Sequence, residues 1–227
     1  MKKILTASTL AIITLTTAAT AATVAISPGL PGWQELKFDD LTPNTWREEN
    51  GAVVASGASS VSILYTSTNV SPTATPILRW KWRVDQATPV TDLARKGGDD
   101  RSISLTIGFA YDSGNASFGE RMKRVVVENV AGADAPGRVI DLAWGGMAPV
   151  GTTVESPYSG YSGRITTMET SAAGGGWVEE SIDIAALYRA QWGTAPPPIT
   201  RVAISSDSDD TGSTVNARIA DIRFAAQ

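Results

Sequence analysis

Aspartates are the residues in this chain that are best placed to do chemistry, and two clusters of them stand out. Asp99 and Asp100 stand together and are followed directly by Arg101. The second cluster is the loop from Asp207 to Gly212. Carboxylates act as acids, bases or nucleophiles in sugar hydrolysis, and groups of them bind hard cations. The two clusters are therefore the first candidates for a ligand site or a metal site.

The loop from Asp207 to Gly212 has the composition of a calcium loop, because several carboxylates precede a glycine that permits a tight turn. It is not an EF-hand, since the twelfth position from Asp207 is Arg218 instead of glutamate. We expect a structural Ca²⁺ here, held by Asp207, Asp209 and Asp210. The alternative is a polar hairpin loop stabilised by aspartate side chains that bond their own backbone.

The pair Asp99-Asp100 lies at the start of an expected strand, where neighbouring side chains point to opposite faces. The two carboxylates are therefore not expected to act on one substrate together. A glycosidase needs two carboxyl groups about 5 to 10 Å apart. A second carboxyl could come from Asp141, Glu155, Glu169 or Asp209. We predict ligand binding by Asp99, Asp100 and Arg101, with an ion pair to Arg101 or a turn as the structural alternative.

A glycine-rich loop carries the aromatic candidates. Tyr158 and Tyr161 lie in the segment SPYSGYSG, residues 156–163. Loops supply binding groups more often than buried elements do. We predict that both tyrosines contact a ligand, although they could equally hold the loop in place.

Composition excludes much of common enzymology. The chain contains no histidine and no cysteine, so it has no Ser-His-Asp triad, no Cys-His dyad and no zinc site built from those residues. Its net charge of −4 at pH 7 disfavours binding to nucleic acid or to an anionic membrane. The expected partner is a glycan, and the sequence leaves the oligomeric state open.

The N-terminus has the pattern of a secretory signal peptide. Lys2 and Lys3 precede an uncharged stretch from Ile4 to Ala22 that ends in small residues. The alternative is a membrane anchor, but threonines dilute the stretch and no basic cluster follows it. We predict a leader over residues 1–22, its removal, no membrane insertion afterwards, and a periplasmic or extracellular location.

Short alternating segments are expected to position these residues. In Ile77–Asp85, Leu78, Trp80, Trp82 and Val84 share one face and basic residues share the other, which predicts a half-buried strand with both tryptophans in the core. Ser102–Tyr111 alternates in the same way. Further strands are predicted over residues 33–38, 52–56, 61–66, 138–144, 164–170, 176–182, 201–206 and 215–224.

Two segments have helical features instead. Ser117 and Glu120 form a capping box, and Asp183 can cap a second helix that ends at Gly193. Short strands with isolated helices predict an all-β fold. We predict a jelly-roll β-sandwich of antiparallel strands with one or two accessory helices, formed as a single domain by residues 23–227.

Four motifs resemble an exported bacterial family filed as domain of unknown function 3047. They are WKWRVD (80–85), KGGDDRSISLTIGF (96–109), GRVIDLAWGG (137–146) and ISSDSDDTGS (204–213). The final strands also resemble galactose-binding-like jelly rolls, which include carbohydrate-binding modules. That second resemblance implies a structural calcium near Asp221.

We therefore expect a non-catalytic module that binds carbohydrate or cell-envelope glycan. One alternative is a carboxylate-dependent glycan hydrolase or lyase that uses Asp99, Asp100 and Asp141. Another is a structural envelope protein that binds a second protein.

Overall fold

The computed structural model describes residues 22–26, 30–131, 135–170 and 172–227. The predicted signal peptide, residues 1–22, lies outside this range except for residue 22. No helix in the described ranges has the length and apolar character needed to cross a membrane.

The described residues form two β-sheets that face each other. The six-stranded sheet contains β1 (Thr23–Ala25), β3 (Thr45–Glu49), β4 (Ala52–Ala58), β6 (Ile77–Gln86), β11 (Val178–Asp183) and β13 (Thr214–Ala225). The seven-stranded sheet contains β2 (Gln34–Lys37), β5 (Val61–Val70), β7 (Arg101–Phe109), β8 (Arg138–Trp144), β9 (Thr153–Ser156), β10 (Gly160–Glu169) and β12 (Ile199–Asp207).

Nearly all strand pairs are antiparallel. The six-stranded sheet runs in the order β11-β6-β13-β4-β3, with β1 beside the last residues of β13. The seven-stranded sheet runs β2-β5-β12-β7-β8-β10-β9, and its β8 and β10 are parallel. The fold is a jelly-roll β-sandwich, as the sequence predicts.

The hydrophobic core lies between the two sheets, because every second side chain of a strand points to the inner face. Trp80 and Trp82 of β6 are 2% and 0% exposed, which confirms that they belong to the core. On the other face of β6, Lys81 is 2.7 Å from a carboxylate oxygen of Asp221. Arg83 on the same strand lies 2.5 Å from a carboxylate oxygen of Asp85, so two basic residues of β6 pair with carboxylates.

Both predicted helices form with their predicted caps. Helix α1 (Phe118–Ala131) begins with the capping box, in which Ser117 Oγ accepts from the Glu120 amide and Glu120 accepts from the Ser117 amide. Helix α2 (Ile184–Trp192) has Asp183 as its N-cap, and it ends at Gly193 with a φ of 71°.

Arg138 connects the helices to the sandwich. Its side chain is buried, donates to Glu120 of α1 at 2.8 Å and donates to the Tyr188 hydroxyl of α2 at 3.1 Å. Tyr188 also lies against Phe109 of β7, with 4.6 Å between ring centroids. This network fixes α1 beside β8, where it borders the outer face of the seven-stranded sheet.

Candidate functional site

A cavity of about 320 Å³ opens on the outer face of the seven-stranded sheet, and we call it the cleft. Its polar lining comes from Asp99, Arg101, Asp141, Ser205, Asp207 and Asp209. Apolar side chains line another part of it, namely Phe38, Leu41, Val61 and Ile63. The end of β9 adds Ser156, and the loop after it adds Tyr158 and Ser159. The cleft thus combines charged groups with aromatic and aliphatic surface.

A β-bulge in β7 directs Arg101 into the cleft. Ile103, Leu105 and the following odd-numbered residues of β7 lie in the core, so strict alternation would point Arg101 into the core as well. The pairing of β7 with β12 shifts between Ser205 and Asp207, since Ser205 lies opposite Ser104 and Asp207 lies opposite Arg101. The extra residue reverses the alternation. Arg101 and Ser104 therefore share the outer face.

Arg101 is the central cation of the cleft. Its Nη1 lies 3.4 Å from a carboxylate oxygen of Asp99 and 3.4 Å from one of Asp207. Burial lowers the pKa of Arg101, but the carboxylates of Asp207, Asp141 and Asp99 together raise it above its ordinary value. The guanidinium consequently stays charged and holds carboxylates from separate strands together.

Two carboxyl groups in the cleft are disposed to take up protons. Burial raises the pKa of Asp141, although Arg101 and a hydrogen bond from Thr106 oppose the rise. Burial also raises the pKa of Asp207 well above the usual range, and its neighbour Asp209 adds to the effect against the opposing charge of Arg101. Oδ1 of Asp207 is buried and has no hydrogen-bond partner among the described residues.

Asp100 does not line the cleft, and its carboxylate is held by the acidic loop instead. It is fully buried, and its carboxylate accepts from the Thr211 amide at 2.7 Å and from the Thr211 hydroxyl at 2.5 Å. The Asp210 amide donates to it at 3.3 Å. Asp100 therefore anchors the acidic loop, and this is the role the structure gives it.

The acidic loop brings together a somewhat different carboxylate set from the predicted one. Oxygens of Asp100, Asp207 and Asp209 lie within 4.8 Å of one another. Asp210 is not in that group, and burial and the charges of Asp209 and Asp100 raise its pKa. Three converging carboxylates suit a hard cation such as Ca²⁺. Calcium binding here stays a prediction, whereas Asp221 lies on the six-stranded sheet in an ion pair with Lys81.

The two loop tyrosines have different environments. Tyr158 lines the cleft, is 59% exposed and donates its hydroxyl to Asp99 at 3.1 Å. Burial of the hydroxyl and the charge of Asp99 raise the pKa of Tyr158 to about 12. Tyr161 instead lies with its ring 5.5 Å from the Arg138 guanidinium and 5.4 Å from that of Arg164. Only Tyr158 joins the cleft.

Several lining residues had no predicted role. Ser104 and Ser205 share a hydrogen bond of 2.7 Å between their hydroxyls beneath Arg101. The alternation of β7 predicts Ser104 on the outer face of the sheet, so the sequence could have indicated its position beside the cleft. Phe38 and Leu41 follow β2 in a turn, and no pattern in the sequence connects them with Asp99 or Asp207.

The fold and site define a jelly-roll β-sandwich with an acidic, partly aromatic cleft on the outer face of one sheet. The chain belongs to the family described as "Protein of unknown function (DUF3047)", whose model matches residues 31–223. No curated protein matches the chain.

Several solved structures are similar to the chain. The family 11 carbohydrate-binding module of cellulase Lic26A-Cel5E from Clostridium thermocellum has a TM-score of 0.43 at 8% identity, with 93% of this chain and 97% of that chain covered. The xyloglucanase domain of NopAA from Sinorhizobium fredii, in complex with cellobiose, has a TM-score of 0.46 at 8% identity, with 93% and 100% covered. A variant of the family 29 module CBM29-2 complexed with mannohexaose has a TM-score of 0.39 at 9% identity, with 91% and 93% covered.

Proposed function

We propose that the protein is an exported, non-catalytic module that binds a glycan in the cleft. The observation that carries this proposal is the composition of the cleft, in which fixed charged groups lie beside exposed aromatic and aliphatic surface. A sugar ring presents hydroxyl groups at its edge and carbon-bound hydrogens on its faces. A site that combines convergent polar groups with apolar walls matches both features.

The polar groups of the cleft are held in place before any ligand arrives. Arg101 is anchored by Asp99 and Asp207, and Tyr158 is anchored by Asp99. Groups that are already ordered lose little conformational entropy on binding. The exposed ring of Tyr158 can then stack on the face of a sugar.

A glycan array tests this proposal, run on the purified protein with calcium and again with a chelator. Retention of a defined glycan supports the binding module. Tyr158→Ala should weaken that binding about five- to tenfold, because stacking on an aromatic ring contributes about 1 to 1.5 kcal/mol. Tyr161→Ala is the control, three residues away in β10, and should leave binding unchanged. A blank array overturns the proposal and favours a protein partner in the envelope.

A second candidate function is glycan cleavage, favoured by the two carboxyl groups of raised pKa. Asp141 and Asp207 are buried enough to carry a proton, while Asp99 is ion-paired with Arg101 in the same cleft. An acid and a neighbouring carboxylate in different environments are the groups that sugar hydrolysis requires. Asp100, by contrast, is engaged with Thr211 outside the cleft.

Product analysis separates the two functions. An enzyme releases reducing ends or unsaturated sugars from the glycan that the array identifies, whereas a binding module leaves it intact. If cleavage occurs, Asp99→Asn and Asp141→Asn should each abolish it. Asp100→Asn should retain it, provided the variant folds. Cleavage that survives both cleft variants would rule out this assignment.

A further inference from the structure

A second cavity of about 480 Å³ lies beside the cleft, between α1 and the strands β8 and β10, and we call it the α1 cavity. Tyr111, Pro136 and Val139 give it apolar surface. Lys123 of α1 and Ser162 of β10 give it hydrogen-bond donors. Glu120 also borders it, but its carboxylate is already paired with Arg138.

The α1 cavity and the cleft meet at Tyr158 and Ser159, which line both. Tyr158 is 59% exposed, and its hydroxyl bonds Asp99 on the cleft side. The Lys96 ammonium lies 5.4 Å from the ring centroid, and this contact further orders the ring. An ordered, exposed aromatic ring therefore stands between two recesses of similar size.

We propose that the two cavities form one groove and that the ligand is an oligosaccharide chain that spans both, passing over Tyr158. This inference rests on the proposed glycan-binding function and adds the form of the ligand, an internal stretch of a chain instead of a single sugar. Each recess lies in the range of about 300 to 1,000 Å³ that holds a small organic ligand. A single sugar in the cleft would leave the α1 cavity without a role.

The charges of the cleft disfavour an acidic sugar at that end of the groove, whereas Lys123 and Arg124 line the α1 cavity. Asp99, Asp141, Asp207 and Asp209 surround the one arginine of the cleft lining, so a uronic acid would meet carboxylates there. Lys123 at the other end can donate to the hydroxyl or ring oxygens of a neutral sugar. We therefore expect a neutral sugar in the cleft, and we expect affinity to increase with chain length.

Isothermal titration with cello-, manno- and xylo-oligosaccharides of two and six units tests the inference. The six-unit oligomer of at least one series should bind at least tenfold more tightly than its two-unit counterpart. Ser162→Trp, which fills the α1 cavity, and Lys123→Ala should weaken binding of the six-unit oligomer about tenfold or more. Neither should change binding of the two-unit oligomer.

The control is Ser113→Trp, which adds the same ring at an exposed position that lines neither cavity. It should bind both oligomers as the unmodified chain does. Thermal unfolding checks that each variant is folded. If Ser162→Trp does not fold, Lys123→Ala alone tests the role of the α1 cavity. If the two-unit and six-unit oligomers bind with equal affinity, or if the folded variants bind as the unmodified chain does, the proposal of a single groove is wrong. The proposed glycan binding is then still supported. Failure of every oligomer to bind, together with a blank array, removes both proposals.

Discussion

At the scale of single residues, Arg101 determines the electrostatics of the cleft. Its side chain is 12% exposed and faces carboxylates on three sides. A buried carboxylate without a counter-charge strongly destabilises the folded state. The arginine is therefore a structural requirement of the cleft as well as a candidate ligand contact.

We expect Arg101→Ala to destabilise the protein by about 3 to 5 kcal/mol at pH 7, because it leaves Asp99 and Asp207 buried without their cation. The loss should shrink towards pH 5, because burial raises the pKa of Asp141 and a protonated carboxyl group needs no counter-charge. Denaturant unfolding at the two pH values measures both effects. Arg189→Ala, at an exposed position of α2, is the control. An equal loss at both pH values would contradict this account.

Calcium provides a second prediction at this scale. If the carboxylates of Asp100, Asp207 and Asp209 bind Ca²⁺, 10 mM calcium should stabilise the protein by about 1 to 3 kcal/mol over chelator, for a dissociation constant in the range of extracellular modules. Thermal unfolding with and without chelator measures the effect. Asp209→Asn should remove it and Asp221→Asn should retain it. A melting temperature that does not respond to calcium would show that the acidic loop is only a turn.

At the scale of elements, the edge strand β11 carries a carboxyl group in an unfavourable place. Glu180 lies opposite Trp80 of β6. Burial, followed by the charge of Glu169, raises the pKa of Glu180 to about 7. An acid whose pKa is raised by folding stabilises the protein in its protonated form. That contribution is present at low pH and is lost as the pH rises through about 7.

We therefore expect Glu180→Gln to match the unmodified chain in stability at pH 5 and to exceed it by about 2 kcal/mol at pH 8, since a neutral amide has no charge to bury. Unfolding curves across this pH range give the difference directly. Glu179→Gln changes the exposed neighbour on the same strand and should produce no such trend. A glutamine variant that is less stable at pH 8 would mean that Glu180 is stabilised as a carboxylate.

At the scale of the whole molecule, stability depends on the core between the two sheets. Trp82 of the six-stranded sheet meets Trp144 of the seven-stranded sheet edge to face, with 5.6 Å between ring centroids. Trp80 meets Trp82 in the same way at 5.3 Å. The chain has no cysteine, so no disulfide supports the contact between the sheets.

Truncation of the Trp82 side chain should therefore destabilise the protein strongly. We expect Trp82→Ala to lower the free energy of unfolding by about 3 to 5 kcal/mol, through lost burial and the cavity left behind. Trp177→Ala, which removes a ring that is 43% exposed beside Lys81, should cost less than about 1 kcal/mol. Chemical denaturation followed by circular dichroism compares the two. Similar losses would mean that the sheets do not depend on this ring.

The sequence by itself determined the features that depend on local pattern. Alternation predicted β6 and β7 and their core faces, because a strand places successive side chains on opposite sides. The cap residues Asp183 and Gly193 predicted the limits of α2. Strands β1, β3 and β9 were not predicted, since each is short and has no clear alternation of apolar and polar residues. Long-range pairing, not local preference, makes them strands.

Only the tertiary structure decided which candidate residues share a site. Arg101 and Asp207 are 106 residues apart in the chain, and the register of β7 with β12 brings them together. The bulge in β7 then reverses alternation so that Arg101 faces the cleft beside Asp99, while Asp100 is directed to the Thr211 loop. Tyr158 and Tyr161 are three residues apart yet contact different partners. Register, bulges and loop paths are set by the packing of the whole sandwich, so local sequence carries no separate signal for them.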